Sequence, residues 1–166
     1  RLCHRDIRRY RVYVKVAVHQ GRFMNEEGSW VNDCTQALLD GQPLASASAA
    51  FADLTVERAY AIQQQVIQRL LSKGNWGGIQ GYKTALSAPA AQAAMRVDDA
   101  VIGVLFEGGS LQHNTLQADR PVVLETELGF TLACDITAPV SVESVNGLIA
   151  QCQGVIELAC VHFQGR

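Results

Sequence analysis

The stretch that most constrains this chain is residues 121–130, PVVLETELGF, because its alternation leaves few ways to lie in a sheet. As a strand it puts Val123, Glu125, Glu127 and Gly129 on one face and Leu124, Thr126, Leu128 and Phe130 on the other. The two carboxylates then point the same way, roughly 7 Å apart along the strand. Like charges that close repel unless a cation lies between them, although a lone Glu-x-Glu also suits a solvated strand face. A second apolar run, Val155-Ile156-Glu157-Leu158-Ala159-Cys160, carries one more glutamate in what reads as a buried strand. A carboxylate in such a place is costly unless it is paired or bound to a metal.

The other boundaries come from size and charge. A chain of 166 residues, 48% of them hydrophobic, can bury one core, and no run approaches the roughly 18 apolar residues of a membrane span. No basic segment leads into an apolar one at the start, so no secretory signal and a cytoplasmic location are expected. Five cysteines without a CxxC spacing argue against a disulfide framework or zinc knuckle and for a reducing compartment, each being a small buried hydrophobe or a bystander. The formal charge of −2 hides an asymmetry: residues 1–23 hold seven of the fourteen Lys and Arg and one acid. From Met24 onward seven bases face fifteen acids, a net of −8. Residues 1–23 are therefore expected to be a basic leader outside the native domain, and 24–166 to be the domain itself. A basic nucleic-acid-binding arm is the weaker reading, because the acidic body does not extend such a surface.

Periodicity sets out the elements. Ser29 is placed to cap a helix over 30–39, with Val31, Cys34 and Leu38 on one side and Gly41 stopping it. Residues 42–50 read as a loop. The clearest helix is 56–72, capped by Thr55, with Glu57 at its positive end and Gly74 beyond it. Val56, Ala59, Tyr60, Gln63, Ile67, Leu70 and Leu71 form its expected buried stripe, and Gln63–Gln65 a polar shoulder without function. A glycine-led strand over 77–86 follows, with no GxGxxG fingerprint. A short helix over 87–95 comes next, with Ser87 as cap and Pro89 in the first turn. Val101–Phe106 is strand-like, 111–120 a polar connector, and 121–135 the long strand. A helix capped by Ser141 is expected over 142–152, with Val142, Val145 and Ile149 inward, before a last strand from Gly154. The mixed order points to an α+β fold rather than a doubly wound sheet.

In combination these motifs resemble the fumarylacetoacetate hydrolase superfamily, in its 2-keto-4-pentenoate hydratase and 4-oxalocrotonate decarboxylase branch. The residues that carry the resemblance are 53–63 (DLTVERAYAIQ), Gly81-Tyr82-Lys83, Val97-Asp98 with Gly103-Val-Leu-Phe106, Leu124-Glu-Thr-Glu127 and Val155-Ile-Glu157. The resemblance implies a fumarylacetoacetate-hydrolase-like mixed β-sandwich or roll behind an N-terminal helical segment. It covers about two-thirds of the chain but only the first part of a family domain, so the sequence is expected to be incomplete at its C-terminus.

It also implies a Mg²⁺ or Mn²⁺ ion held by Glu125, Glu127 and Glu157, with Lys83 as the active-site amine and Ser87 beside the substrate. The implied activity is that of a metal-dependent lyase acting on a short 2-hydroxydienoate or 2-oxo acid and adding water by way of a metal-stabilised enolate. The alternatives are an oxo-diacid decarboxylase or an acylpyruvate C–C hydrolase on the same site, or, in another class, an inactive metal- or partner-binding fragment. A homo-oligomer is implied too, with neither nucleic acid nor membrane as partner. Departures from the family pattern are Ala85 in place of a Gly, Ala100-Val-Ile-Gly103 without the usual Asp, and Val161-His162 where the branch has a Ser/Asp-Arg pair. Losing that Arg removes a bidentate carboxylate partner; His162 is a candidate substitute as donor or acid–base group, beside the plainer reading of a structural histidine. His4, His19 and His113 receive no role.

Overall fold

The structure, a computed structural model, describes residues 24–109 and 123–159, the side chains of 24–26 excepted. The basic leader, the 111–120 connector, His113, Cys160 and His162 lie outside the described residues.

The N-terminal half is built on two helices. Helix α1 runs over Met24–Leu39 and α3 over Val56–Lys73, with the single turn α2, Ala47–Ala50, inside the segment expected to be loop. The Thr55 hydroxyl accepts the Arg58 N–H at 3.2 Å, and Gly74 closes α3 at φ 73°, a left-handed cap that glycine adopts without steric cost. α1 begins five residues before the Ser29 cap expected from sequence. Its first turns are held to α3 by bonds no local pattern reveals: Arg58 to Glu27 at 3.2 Å, Gln65 to Glu27 at 2.8 Å and Arg69 to the Gly28 carbonyl at 3.3 Å.

The core lies between these helices: Val31, Cys34, Phe51, Ile62, Val66 and Leu70 are buried together, with Trp30 edge-on to Phe51 at 5.8 Å. The buried stripe of α3 is thus Ile62, Val66, Ile67 and Leu70, rotated from the expected one. Val56, in the first turn, is 55% exposed, and Ala59, Tyr60, Gln63 and Leu71 are half-buried on the shoulder. Packing against α1 and Phe51 decided the face, where periodicity alone allowed either.

Strands β1 (Ile79–Ala85) and β2 (Val101–Phe106) pair antiparallel, joined through helix α4, Pro89–Met95. The N-cap of α4 is Ala88, not Ser87. Leu86 takes φ 57° and its carbonyl accepts from Gln92 Nε2, so the chain turns before Ser87 can cap the helix. The hairpin mouth is locked by Glu107, whose carboxylate accepts the Gly78 N–H at 2.8 Å and whose own N–H bonds the Gly78 carbonyl at 2.9 Å. A side chain at Gly77 (φ 70°) would meet the Glu107 carboxylate at 2.8 Å, so both conformation and space call for glycine.

The last described elements are β3 (Val123–Leu132), a single turn α5 (Val142–Val145), a 3₁₀ turn at Asn146–Leu148 and β4 (Ile149–Ala159). The helix expected over 142–152 stops after one turn, and the strand expected from Gly154 begins at Ile149. The reason is tertiary: β4 pairs along its length with β3, and that ladder captures 149–153 from a helical pattern lacking a packing partner, Val142 being 83% exposed. The run 155–159 is also less buried than expected, with Ile156 67% exposed and Glu157 half-buried. Among the described residues there are two two-stranded sheets, both antiparallel, which with the helices makes the fold α+β.

Candidate metal centre

Register on the second hairpin assembles the acidic residues. Directly paired residues share a face, so Glu125 stands opposite Glu157, Glu127 opposite Val155 and Gly129 opposite Gln153. Gly129 gives the neighbouring Val155 side chain its space, since a Cβ there would lie 2.8 Å from Val155 Cγ1. Each of Glu125, Glu127 and Glu157 offers a carboxylate oxygen within 4.8 Å of the other two. Like charges directly opposite in a sheet destabilise it, so the cluster needs a counter-charge. Part of that charge is present: the Lys83 ammonium, from β1 of the other hairpin, bonds both oxygens of Glu157.

The donor set suits a hard divalent cation. Mg²⁺ and Mn²⁺ take oxygen ligands, and the three carboxylate oxygens lie close enough together that Glu125, Glu127 and Glu157 would hold one such ion. Glu125 and Glu127 are exposed and Glu157 half-buried, so water and a further ligand can reach the same place. A carboxylate has about four lone-pair directions, enough for Glu157 to hold the ammonium and a cation together.

Beside the cluster lies a cleft of about 440 Å³ lined by Thr84, Thr126, Glu127, Leu128 and Phe130. Thr126, Leu128 and Phe130 belong to the face of β3 opposite Glu127, so the cleft wraps the edge of β3 that carries no partner strand among the described residues. Its mixed apolar and hydroxyl lining and its size fit a small organic acid.

No family model matches the chain. The chain is 33% identical over 104 residues to 2-keto-4-pentenoate hydratase of Paraburkholderia xenovorans (strain LB400) and likewise to 2-keto-4-pentenoate hydratase 3 of Pseudomonas putida, matches covering 61% of this chain and 38% of each relative. It is 26% identical over 107 residues to 2-oxo-hept-4-ene-1,7-dioate hydratase of Escherichia coli, covering 63% and 39%. Its fold matches that of 4-oxalocrotonate decarboxylase from Pseudomonas putida G7, solved with magnesium and adipate, at a TM-score of 0.71 and 18% identity over 89% of this chain and 57% of that one. The chain is thus similar in sequence to hydratases, and in fold to a decarboxylase, of the branch whose motifs it resembles. The matched part spans under two-fifths of the length of these curated relatives.

Of the positions onto which the superfamily resemblance carried functional roles, the fold brings four together: Lys83, Glu125, Glu127 and Glu157. Ser87 is exposed in the turn after β1, and His162 lies outside the described residues. Reading the sequence overlooked Tyr60, Gln63 and Gly103. The Tyr60 hydroxyl accepts the Ile102 N–H at 2.9 Å and Gln63 donates to the Ile102 carbonyl at 3.1 Å, so α3 occupies the outer edge of β2 as a third strand would. The signal available was a glycine inside a strand, which often marks a close approach. Cys34, whose thiol burial pushes up in pKa, is a core residue as expected, whereas Cys134 and Cys152 are exposed.

Proposed function

We propose that this chain carries the metal site of a hydratase-type lyase, acting on a short 2-hydroxydienoate or 2-oxo acid. The observation that carries the reading is the convergence of Glu125, Glu127 and Glu157 from two paired strands, with the amine of Lys83 against one of them. These three carboxylates would hold Mg²⁺ or Mn²⁺. When bound, the ion supplies Lewis acidity toward the carboxylate and keto oxygens of a 2-oxo acid.

The chain's own groups supply the rest. Lys83, with three N–H donors on a half-buried stem, balances charge at the rim and can bond the substrate carboxylate or carry a proton to the adjacent carbon. Glu157 keeps that ammonium from swinging into solvent. Thr84 and Thr126 offer hydroxyls along the cleft, while Leu128 and Phe130 give the carbon chain an apolar wall. Addition of water to the distal double bond then completes a carbon–oxygen lyase cycle.

The test offers 2-hydroxypenta-2,4-dienoate, oxaloacetate and acetylpyruvate in turn with Mg²⁺ and follows the ultraviolet band of each. Loss of the dienoate band, abolished in Lys83→Met, is expected; selective loss of oxaloacetate would move the assignment to decarboxylation. Because the chain spans only part of its relatives, Mn²⁺ binding is followed in parallel by electron paramagnetic resonance. Equal Mn²⁺ affinity in the unsubstituted chain and in a Glu125→Gln/Glu127→Gln variant would overturn the assignment of the site.

A further inference from the structure

We propose that Gly103, held in register by Tyr60 and Gln63 of α3, is the positioning residue that directs the Lys83 amine to Glu157. The inference deepens the reading of Lys83 as the amine of the site and rests on it.

Lys83 and Gly103 are directly paired across β1 and β2. Direct partners in an antiparallel pair project to one side, so whatever stood at 103 would share a face with the lysine stem. With glycine there, the stem lies over the neighbouring strand: a Cβ at 103 would be 3.3 Å from Lys83 Cγ and 3.8 Å from Cδ. Those methylenes cannot step aside freely. Their far end is tied to both oxygens of Glu157 and their near end to the β1 backbone. A methyl at 103 therefore makes the stem, tied at both ends, give by a few tenths of an ångström and loosens the ion pair, though no conformational strain is involved, since Gly103 is not among the positive-φ glycines.

Where the glycine sits is decided one residue earlier. Ile102 has its N–H held by the Tyr60 hydroxyl and its carbonyl held by Gln63, three residues further along the helix. Both bonds come from the shoulder of α3, beside the face that carries Ile62, Val66 and Leu70 of the core. The route from core to site thus runs through α3, Ile102, Gly103, Lys83 and Glu157, every link a named contact. It joins the packed half of the molecule to the exposed acidic hairpin.

The test is site-resolved acylation of lysines by a water-soluble N-hydroxysuccinimide acetate, read by mass spectrometry on the full chain, with Lys73 as internal reference. Glu157→Gln sets the rate of an unpaired Lys83. That rate is expected about fivefold above the unsubstituted chain, the factor matching about 1 kcal/mol of ion pairing, and Gly103→Ala is expected to rise toward it. Lys73 stays unchanged. Tyr60→Phe/Gln63→Met is expected to raise Lys83 acylation by a smaller factor, and no rise there removes the helix from the proposal. An unchanged Lys83 rate in Gly103→Ala overturns it.

Should Gly103→Ala fail to fold, the Lys83→Ala/Gly103→Ala double variant decides: recovery of a cooperative melt supports the clearance argument, and persistent unfolding refutes it. None of these readouts needs turnover. A chain without hydratase activity that still shows the Gly103 effect would lose the proposed function and keep this inference.

Discussion

Glu125→Gln should raise the stability of the metal-free chain and remove its response to Mg²⁺, and this opposition of signs is the sharpest test of the carboxylate cluster. Glu125 has a carboxylate oxygen within 4.8 Å of both Glu127 and Glu157. At that separation two unit charges repel by about 0.9 kcal/mol at the dielectric of water. The low value suits exposed groups, and physiological salt roughly halves it. Removing both repulsions with an isosteric amide therefore stabilises the metal-free chain by about 1 kcal/mol, worth about 3 °C in Tm. With a bound cation the balance reverses: a ligand at 100 times its Kd adds about 2.7 kcal/mol to the folded state, and the variant forfeits most of that gain. The assay is a pair of thermal melts, with chelator and with saturating Mg²⁺, repeated in 1 M NaCl, where the metal-free gain should vanish. A Glu125→Gln chain that melts lower than the unsubstituted one in chelator, yet gains as much from Mg²⁺, would refute the convergence of the three side chains.

Further outcomes follow from the helical half and the open hairpin. Leu70→Ala, at a side chain 2% exposed between α1 and α3, should cost about 2–5 kcal/mol in a urea titration. Thr55→Ala should cost about 1 kcal/mol by removing the α3 cap. The same substitution should flatten the acid limb of the stability profile: bonds from its own backbone N–H and then from the Thr55 side chain lower the Glu57 pKa below its ordinary 4.5 in the folded chain. Its contribution is thus present above 4.5 and lost as pH falls through the lowered folded value. Leu124→Ser/Ile156→Ser, at side chains 66% and 67% exposed, should change chemical stability by no more than about 0.5 kcal/mol; a loss of several times that would show the face to be covered.

What could be read from residues alone was whatever a few neighbouring side chains decide. Helix α3 starts and stops where Thr55 and Gly74 say it must, because a cap and a left-handed glycine act over one turn. Glu125 and Glu127 share a face because a strand has period two. By contrast, the start of α1, the buried face of α3 and the identity of 149–153 were all settled by distant partners: Glu27 by Arg58 and Gln65, Val66 and Leu70 by α1, and β4 by β3. Amphipathic patterning fixes the period of an element and leaves open which stripe or ladder it meets.

The site divides the same way. Sequence determined that two carboxylates lie side by side, and family likeness pointed to Glu157 and Lys83. Tertiary structure decided that Glu157 stands opposite Glu125, that an amine 74 positions earlier reaches it, and that a glycine on the strand beside that amine leaves it room. Spacing along one strand is a local property of the backbone, whereas charges from three strands meet only through register and packing, which no window of sequence contains.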